Sequence, residues 1–256
     1  MKKEDINMKI SIITAVYNRN KTIKRAILSV KEQIYKNIEL IIVDGGSNDG
    51  TVDSIKSLID ENDTFISESD NGIYDALNKG VNLASGEVIA FLHSDDIYFD
   101  NKVLSDVVEG FADKSIDVVY GDVAFFSSKN SSKIIRKYKS DNLSRINLAW
   151  GKMPAHPAIF IKRELYDEIG LFNTNYSIAA DYEFLCRAIN SGPIKTHYLP
   201  QVLVKMQLGG KSTQGLKNTM LLNQEVVKAI KNNGIYTNIF MILSKYPSKI
   251  LQFLIK

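Results

Sequence analysis

The chain has 256 residues, 45% of them hydrophobic and 24% charged, a composition typical of a folded globular protein and not of a disordered one. Its net charge is +3, but residues 217–256 contribute +5, which leaves −2 for residues 1–216. A nucleic-acid-binding protein normally carries its basic patch on the folded part, so this distribution argues against that class. The single cysteine, Cys186, excludes both an internal disulfide framework and a cysteine zinc cluster.

The first half of the chain alternates apolar runs with helical patterns, which predicts an α/β fold with a mostly parallel sheet flanked by helices. Strands are predicted at 9–16, 38–44, 65–67, 87–96 and 117–125, with helices at 21–33, after residue 50, at 73–83 and at 100–112. The second half predicts a hairpin across 119–138, a strand at 157–162, a short helix from Arg163 and a helix across 180–190. We expect one main domain over 1–215 and a C-terminal helical, amphipathic extension over 216–256.

Polar and acidic residues gather just after the carboxyl ends of successive predicted strands. The four segments are TAVYN, VDGGSNDG, ESDNG and LHSDD. In an open α/β sheet this edge forms the ligand crevice. The sequence therefore predicts one site built from four loops.

The segment LHSDD at 92–96 ends in two adjacent carboxylates, Asp95 and Asp96, with no neighbouring lysine or arginine. Such a pair suits a hard divalent cation such as Mg²⁺ or Mn²⁺, which would neutralise a diphosphate leaving group. A solvated turn or a helix cap is the commoner explanation of an isolated Asp-Asp pair. The preceding apolar strand and the converging loops favour the metal.

The glycine-rich turn VDGGSNDGT at 43–51 lacks the Gly-Lys-Ser/Thr of a P-loop and the glycine spacing of the dinucleotide fingerprint. Asp44, at the strand end, is predicted to accept hydrogen bonds from a nucleobase or ribose. Asp49 is predicted to cap the following helix.

Four segments, TAVYNR (14–19), ELIIVDGGSNDGT (39–51), the run from ESDNG to HSDD (68–96) and AADYEFLCRA (179–188), together resemble family 2 glycosyltransferases of the GT-A fold. They occur in the same order as in that family, and the resemblance covers about residues 9–215. It implies a Rossmann-like sheet, a nucleotide-diphospho-sugar donor, a divalent metal, Mn²⁺ or Mg²⁺, and inversion at the anomeric carbon.

The resemblance also implies roles for individual residues. The predicted donor-binding residues are Thr14, Tyr17, Asn18, Asp44, Asp70, Asn78, His93 and Ser94. Asp95 matches the metal-binding aspartate, with Asp96 beside it. The chain departs from the family at His93, where many members have Asp, and at Leu77, where Arg is common. These departures predict a different metal motif and a different grip on the donor.

Asp181 matches the aspartate that removes the proton of the acceptor hydroxyl in the family. It lies near the start of a predicted helix, where the helix dipole favours the ionised carboxylate. In a closed site such a carboxylate can accept a proton as the new bond forms. A plain acidic residue at a helix start is the alternative.

Two more segments are candidates for binding roles. His156, between Pro154 and Pro157, either positions the acceptor or packs in its loop. Lys211, in LGGKST at 208–213, is predicted to bind the donor diphosphate from a closing loop, with a plain turn as the alternative. His197 is predicted to be structural.

The C-terminal segment 235–256 is apolar, carries lysines at 245, 249 and 256, and is interrupted by Pro247. It is too broken to span a bilayer but suits the surface of an anionic membrane. Packing on its own domain or on a second subunit is the alternative. With no visible secretion signal, we expect a cytoplasmic protein, peripheral at the inner face of the membrane, with a glycan or lipid-diphosphate-linked acceptor.

Two rival functions remain open at this point. A nucleotidyltransferase shares the α/β plan and an acidic metal site, but TAVYNRN lacks the basic glycine-rich signature that grips a triphosphate. A non-catalytic protein that binds sugar nucleotides is the second rival, and the presence of both Asp95 and Asp181 speaks against it. Uridine diphosphate is the favoured carrier because Asp44 matches the position that contacts uracil.

Overall fold

The computed structural model describes residues 7–127, 130–140, 143–209 and 215–244. Within these ranges the strands are β1 Ile10–Val16, β2 Ile38–Asp44, β3 Thr64–Ser67, β4 Val88–Phe91, β5 Ile97–Tyr98, β6 Val118–Ser127, β7 Asn130–Tyr138, β8 Ile159–Lys162 and β9 Thr196–Gln207. The helices are α1 Asn20–Lys31, α2 Thr51–Lys56, α3 Ile73–Leu83, α4 Val103–Gly110, α5 Arg145–Ala149, α6 Arg163–Ile169, α7 Ala180–Ser191, α8 Gly215–Asn232 and α9 Ile239–Leu243.

The strands form a single sheet in the order β3-β2-β1-β4-β8-β6-β9-β5, with β7 paired to β6. The half β3-β2-β1-β4 is parallel, as predicted. The other half is mixed, because β8 runs antiparallel to both β4 and β6, while β9 runs parallel to β6. The α/β architecture of the prediction is confirmed, and its parallel character belongs to the first half.

Both faces of the sheet are covered by helices, since the strands are apolar on both sides. In β1, Ile10 and Ile12 pack with α1, α2 and α4, whereas Ile13 and Ala15 pack with α3, α7 and α8. This strict alternation follows from the two-residue period of a strand. Strands buried on both faces read as continuous apolar runs, which is why they were visible in the sequence.

The carboxyl ends of β1, β2, β3 and β4 meet at one edge of the sheet. Val16 is opposite Asp44, and Asp44 is opposite Ser67, so the loops that follow begin side by side. The strand predicted at 87–96 ends at Phe91, and a tight turn follows in which the Asp96 N–H donates to the His93 carbonyl, 3.0 Å away. This turn places residues 92–96 at the same edge.

The C-terminal helices pack onto the main core. Val226, Ala229 and Ile230 of α8 and Ile242 of α9 are buried in the same cluster as α3 and α7. On the outer side of this region, two aromatic side chains protrude, Tyr236 at 79% and Phe240 at 80% exposure. Of the helices in the described part of the chain, none has the length and apolarity required to cross a bilayer. The rest of the predicted amphipathic tail, 245–256, lies outside the described residues.

Candidate active site

The loop after β1 is fastened to the loop after β2. The Asn18 N–H donates to Ser47 Oγ at 2.7 Å, and Asn18 Oδ1 accepts from the Asn48 N–H at 3.0 Å. Asn18 adopts a left-handed conformation, with φ of 51°, which asparagine tolerates better than most residues. The predicted donor residue Asn18 therefore also shapes the crevice.

Asp44 lies at the end of β2 and holds the glycine-rich turn. Its Oδ2 accepts from the N–H groups of Gly46 and Ser47, at 3.1 and 2.9 Å, and from Ser67 Oγ at 2.7 Å. Its Oδ1 accepts from the Ser47 hydroxyl. The side chain is buried, and these hydrogen bonds hold the turn in place. The N-cap residue of α2 is Gly50, and Asp49, the residue before it, accepts from the Thr51 N–H at 3.1 Å, so it contacts the helix start without occupying the cap position predicted for it.

Three of the loops converge around Gly45. A Cβ atom added to Gly45 would lie 2.4 Å from Asp70 Oδ2 and 3.5 Å from Tyr17 Cδ2. Asp70 is oriented by accepting the Gly72 N–H through Oδ1 at 2.9 Å, and the Tyr17 ring is 57% exposed. The predicted residues Tyr17 and Asp70 thus both lie beside Gly45, and the exposed Tyr17 ring offers an aromatic surface on which a base can stack.

Two predicted donor residues occupy other places. Thr14 is buried inside β1, two residues before the strand ends, on the same face as Ile12. Asn78 of α3 uses its whole amide to clamp the backbone of Phe172: Nδ2 donates to the carbonyl at 2.9 Å and Oδ1 accepts the N–H at 3.0 Å. In the structure Thr14 packs inside the strand and Asn78 positions the Phe172 backbone, and their predicted contacts with a nucleoside stay predictions.

The turn 92–96 separates its two carboxylates. Asp95 is partly exposed, whereas Asp96 is 2% exposed and accepts the Gln207 N–H at 3.0 Å. Burial raises the pKa of the Asp96 carboxyl well above its usual range, and the charge of Asp95 adds to this effect. Asp96 therefore ties the turn to β9, and its predicted role as a metal ligand stays a prediction. Ser94 is also buried.

Arg25 of α1 contacts this turn and was not predicted from the sequence to belong to the site. Its guanidinium donates to the Asp95 carbonyl at 2.8 Å and to Gln207 Oε1, and it lies over the Phe126 ring at 5.0 Å. The cation also faces the charges of Asp95 and Asp96. The sequence signal that could have identified Arg25 is a basic residue on the sheet-facing side of a predicted amphipathic helix.

The residues present fit a divalent ion whose ligands come partly from a substrate. Among the described residues, no three His, Cys, Asp or Glu side chains converge to hold an ion by themselves. Mg²⁺ is usually bound by one or two carboxylates together with substrate phosphates, not by an all-protein cage. Asp95, which is partly exposed in the turn after β4, is the carboxylate that would supply such a ligand.

His93 and His156, predicted on the donor and acceptor sides, lie next to each other with ring centroids 5.7 Å apart. His156 also stacks on Phe91 at 4.8 Å and meets the edge of Phe172 at 5.6 Å. Burial lowers the pKa of His156 to about 3, with the neighbouring His93 adding to it, and burial also lowers the pKa of His93. Both imidazoles are therefore neutral at physiological pH.

The same aromatic cluster reaches Asp181. Phe172 packs against Tyr74 of α3 with centroids 5.7 Å apart, and the Tyr74 hydroxyl lies 3.0 Å from Asp181 Oδ1. A continuous series of contacts thus runs from His93, in the turn that carries Asp95, to Asp181. The two regions, far apart in the sequence, lie around one cluster.

Asp181 is the second residue of α7, and its Oδ1 accepts hydrogen bonds from the Tyr182 N–H at 2.9 Å and from Tyr74. Burial raises the pKa of the Asp181 carboxyl to about 6, in spite of these two donors. The helix start was expected to favour ionisation, but desolvation outweighs it. A carboxylate with a pKa near 6 is a stronger base than one in water.

Two of the remaining predictions concern His197 and Lys211. His197 lies at an exposed position of β9, close to Gly110 of α4, and its predicted structural role stays a prediction. Lys211 lies outside the described residues, so its role stays a prediction. Tyr74 and Glu225, which contact Asp181 or the segment before it, were not singled out from the sequence.

Solved structures in complex with nucleotide sugars share the fold of this chain. TarS residues 1–349 from S. aureus, solved in complex with UDP-GlcNAc, match 88% of this chain with a TM-score of 0.67 at 19% identity, over 67% of that structure. The mannosyltransferase PcManGT from Pyrobaculum calidifontis, in complex with GDP-Man and Mn²⁺, matches 90% of the chain with a TM-score of 0.66 at 19% identity, over 65% of that structure. In a longer TarS structure the chain spans 40% of the length. The sheet and its crevice are those of the GT-A fold.

The chain belongs to glycosyl transferase family 2, whose model matches residues 11–170. A relative from Mycobacterium bovis, described as a PGL/p-HBAD biosynthesis glycosyltransferase, is 31% identical over 224 residues, or 86% of this chain and 83% of that protein. The protein is therefore a glycosyltransferase.

Proposed function

We propose that the protein is an inverting glycosyltransferase that moves a sugar from a nucleotide-diphospho-sugar, with uridine diphosphate as the favoured carrier, to a hydroxyl of a glycan or a lipid-diphosphate-linked sugar. The observation that carries this proposal is the aromatic cluster of His93, His156, Phe172 and Tyr74, because it joins the Asp95 turn to Asp181. A donor site and a base on one cluster are what direct displacement needs.

Asp181 is the proposed base. As the acceptor oxygen attacks the anomeric carbon, its proton passes to Asp181, the bond from that carbon to the phosphate oxygen breaks, and the nucleoside diphosphate leaves. Since Oδ1 is held by Tyr182 and Tyr74, Oδ2 is the oxygen assigned to the proton. Tyr74 lies 2.7 Å from the Ile178 carbonyl as well, so its O–H can turn there once Asp181 is protonated.

The donor is proposed to bind against Tyr17 and Asp70, beside Gly45. Asp44 and Asn18 shape this region through the hydrogen bonds of the two loops. Asp95 would hold a divalent cation, Mn²⁺ or Mg²⁺, which when bound neutralises charge on the diphosphate. The two neutral imidazoles, at positions 93 and 156, are proposed to contact the donor and the acceptor by hydrogen bonds.

A thermal-shift panel of UDP, GDP and dTDP sugars with Mn²⁺ tests the donor assignment, followed by transfer to lipid-diphosphate-linked acceptors. We expect a UDP-sugar to give the largest shift, and the product to have the opposite anomeric configuration to the donor, read by NMR coupling constants. Retention of the donor's anomeric configuration in the product would overturn the proposed direct displacement by the acceptor oxygen. An Asp95→Asn variant should lose the part of the shift that depends on Mn²⁺.

The exposed apolar residues of the C-terminal region support the proposal of a contact with the inner face of the membrane. Tyr236 and Phe240 protrude beside Ile239 and Leu243, although Ile242 is buried in the core. Apolar side chains in a lysine-containing segment suit an anionic bilayer surface. This location fits an enzyme that extends a lipid-linked acceptor in surface-polysaccharide synthesis.

Flotation with vesicles of phosphatidylglycerol and phosphatidylethanolamine tests this contact. The double variant Tyr236→Ser, Phe240→Ser should float several-fold less than the wild type. Ile34→Ser is the matched control, because Ile34 is 53% exposed just after α1, on the face of the sheet opposite the C-terminal helices, and should float like the wild type. Equal recovery of all three proteins with the vesicles would remove the membrane contact.

A further inference from the structure

Glu225 of α8 makes an unusual set of contacts with the segment before α7. Its Oε1 accepts the Ser177 N–H at 2.8 Å, and its Oε2 accepts the N–H groups of Ile178 and Ala179 at 2.9 and 3.0 Å. The residue is only 8% exposed. One carboxylate therefore satisfies three consecutive backbone amides, the kind of charge-assisted hydrogen bonding that is stronger than a neutral pair.

These amides lie directly ahead of the proposed base. Ala179 is the residue before α7, and Asp181 follows two residues later. From the other side, the Tyr74 hydroxyl lies 2.7 Å from the Ile178 carbonyl. The segment 177–179 is thus held between α8 and α3. Small displacements of a catalytic group are costly, since about 1 Å can lower a rate by about 100-fold.

We infer that Glu225 is a positioning residue for Asp181: its carboxylate fixes the backbone of residues 177–179 and so aims the base into the cleft. The inference rests on the proposed role of Asp181. It also gives α8 a part in the reaction, although α8 lies beyond residues 11–170, where the family model matches.

The electric charge of Glu225 provides a readout that a purely structural role would not affect. The titratable groups facing Asp181 are Tyr74 from α3, Tyr182 from α7 and Glu225 from α8. Burial is the main cause of the raised pKa of Asp181, and the negative charge of Glu225 adds to it. Removing that charge should therefore lower the pKa of Asp181 and move the acidic limb of the kcat profile to lower pH.

The test compares Glu225→Gln with the wild type and with Gln224→Ala, a control at an exposed position of the same helix. Activity is followed as nucleotide release from the donor selected by the thermal-shift panel, and backbone protection by hydrogen–deuterium exchange. We expect kcat to fall by about 10-fold or more with little change in donor KM, the acidic limb to move to lower pH, and the amides of 177–179 to exchange faster. The control should match the wild type in all respects.

Wild-type kcat and an unmoved acidic limb in a folded Glu225→Gln protein would overturn the inference. If that variant does not fold, Glu225→Asp carries the test, because it keeps the charge and shortens the reach: a lower kcat supports positioning, and wild-type kcat overturns it. Asp181→Asn separates the two proposals. If Asp181→Asn retains transfer, the proposed base is wrong; if only Glu225→Gln is without effect, the base stands and the positioning role fails.

Discussion

Two carboxylates at opposite edges of the sheet show how burial and hydrogen bonding decide what an acid does. Glu39, near the start of β2, accepts from the N–H groups of Ser85 and Gly86 at 2.6 and 3.0 Å. It also accepts from the hydroxyls of Ser11 and Ser85, and from Lys9 Nζ at 2.7 Å. Asp181, at the crevice edge, has two donors, the Tyr182 N–H and Tyr74.

Their pKa values move in opposite directions although burial opposes ionisation of both. At Glu39 burial alone would raise the pKa, but the donors from Lys9, Ser11 and Ser85 outweigh it and lower the pKa to about 2. At Asp181 burial prevails and the pKa rises to about 6. A carboxylate whose oxygens accept many hydrogen bonds stays ionised and stabilises the fold. A buried carboxylate with few donors takes up a proton more readily.

Asp181→Asn is expected to have the largest effect of the changes considered. The amide cannot accept the proton, so kcat should fall by about 10³-fold, within the range of general-base contributions. Because the variant also removes a poorly compensated buried charge, its melting temperature should equal or exceed that of the wild type. Kinetics, donor binding by thermal shift and calorimetry measure these effects. Retained turnover would contradict the proposed base, and a large loss of stability would show that the Asp181 carboxylate stabilises the fold as Glu39 does.

Glu39→Gln makes the corresponding change, from a carboxylate to an amide, at the other site. It should lower the free energy of unfolding at pH 7 by about 2 kcal/mol, because the amide leaves charge-assisted donors without their acceptor. Turnover should stay at the wild-type value, since the residue lies at the far edge of the sheet. Glu32→Gln, at an exposed position, is the control for charge removal. Urea unfolding of the three proteins gives the comparison.

The pH dependence of that difference has a fixed sign. The pKa of Glu39 is about 2 in the folded protein and 4.5 in its ordinary range, so its stabilisation is complete above pH 4.5 and is lost as the pH falls through about 2. The gap between wild type and Glu39→Gln should therefore narrow below pH 4.5. A gap that stays constant down to about pH 2.5 would show that the ionised carboxylate is not responsible.

The regular part of the fold was predictable because its signals are local. The strand at 38–44 and the helix at 73–83 match their predicted bounds, since both have a clear apolar pattern, Gly45 follows the strand and Gly72 precedes the helix. β9 was missed over most of its length, because only Leu203 and Val204 of its residues are buried and its partner β6 lies more than 70 residues earlier. α5, five residues long, has too little periodicity to detect.

The site was predictable at the level of loops but not of side-chain direction. The sequence brings Tyr17, Asp70 and the Asp95 turn to one edge, because parallel strands end together. It does not show that Asn78 turns to the Phe172 backbone, since that partner lies 94 residues away. The same holds for Asp96, which turns to a backbone N–H 111 residues later, and for Glu225, whose three amide donors lie 46 to 48 residues earlier.

Tyr74→Phe tests the hydrogen bond from Tyr74 to Asp181 and should have a smaller effect. The hydroxyl of Tyr74 lowers the pKa of Asp181 by donating to it, so removing the hydroxyl should raise that pKa further above 6. The acidic limb of kcat should move to higher pH, opposite to the shift expected for Glu225→Gln, while kcat at about pH 8 stays close to the wild-type value. A limb that moved to lower pH would show that Tyr74 does not donate to the carboxylate.

Lys9→Met should have the smallest effect and bears most directly on what compensates Glu39. Lys9 is the charged donor at that site, but its side chain is 37% exposed, and exposed ion pairs contribute about 0.2–1 kcal/mol. We expect a loss of about 0.5 kcal/mol in low salt, shrinking toward zero in about 1 M NaCl as the pair is screened. Ser11, Ser85 and Gly86 would still hold the carboxylate. If Lys9→Met instead cost as much as Glu39→Gln, the ion pair and not the fixed neutral donors would compensate the burial of Glu39, and the contrast with Asp181 would reduce to the presence or absence of one cation.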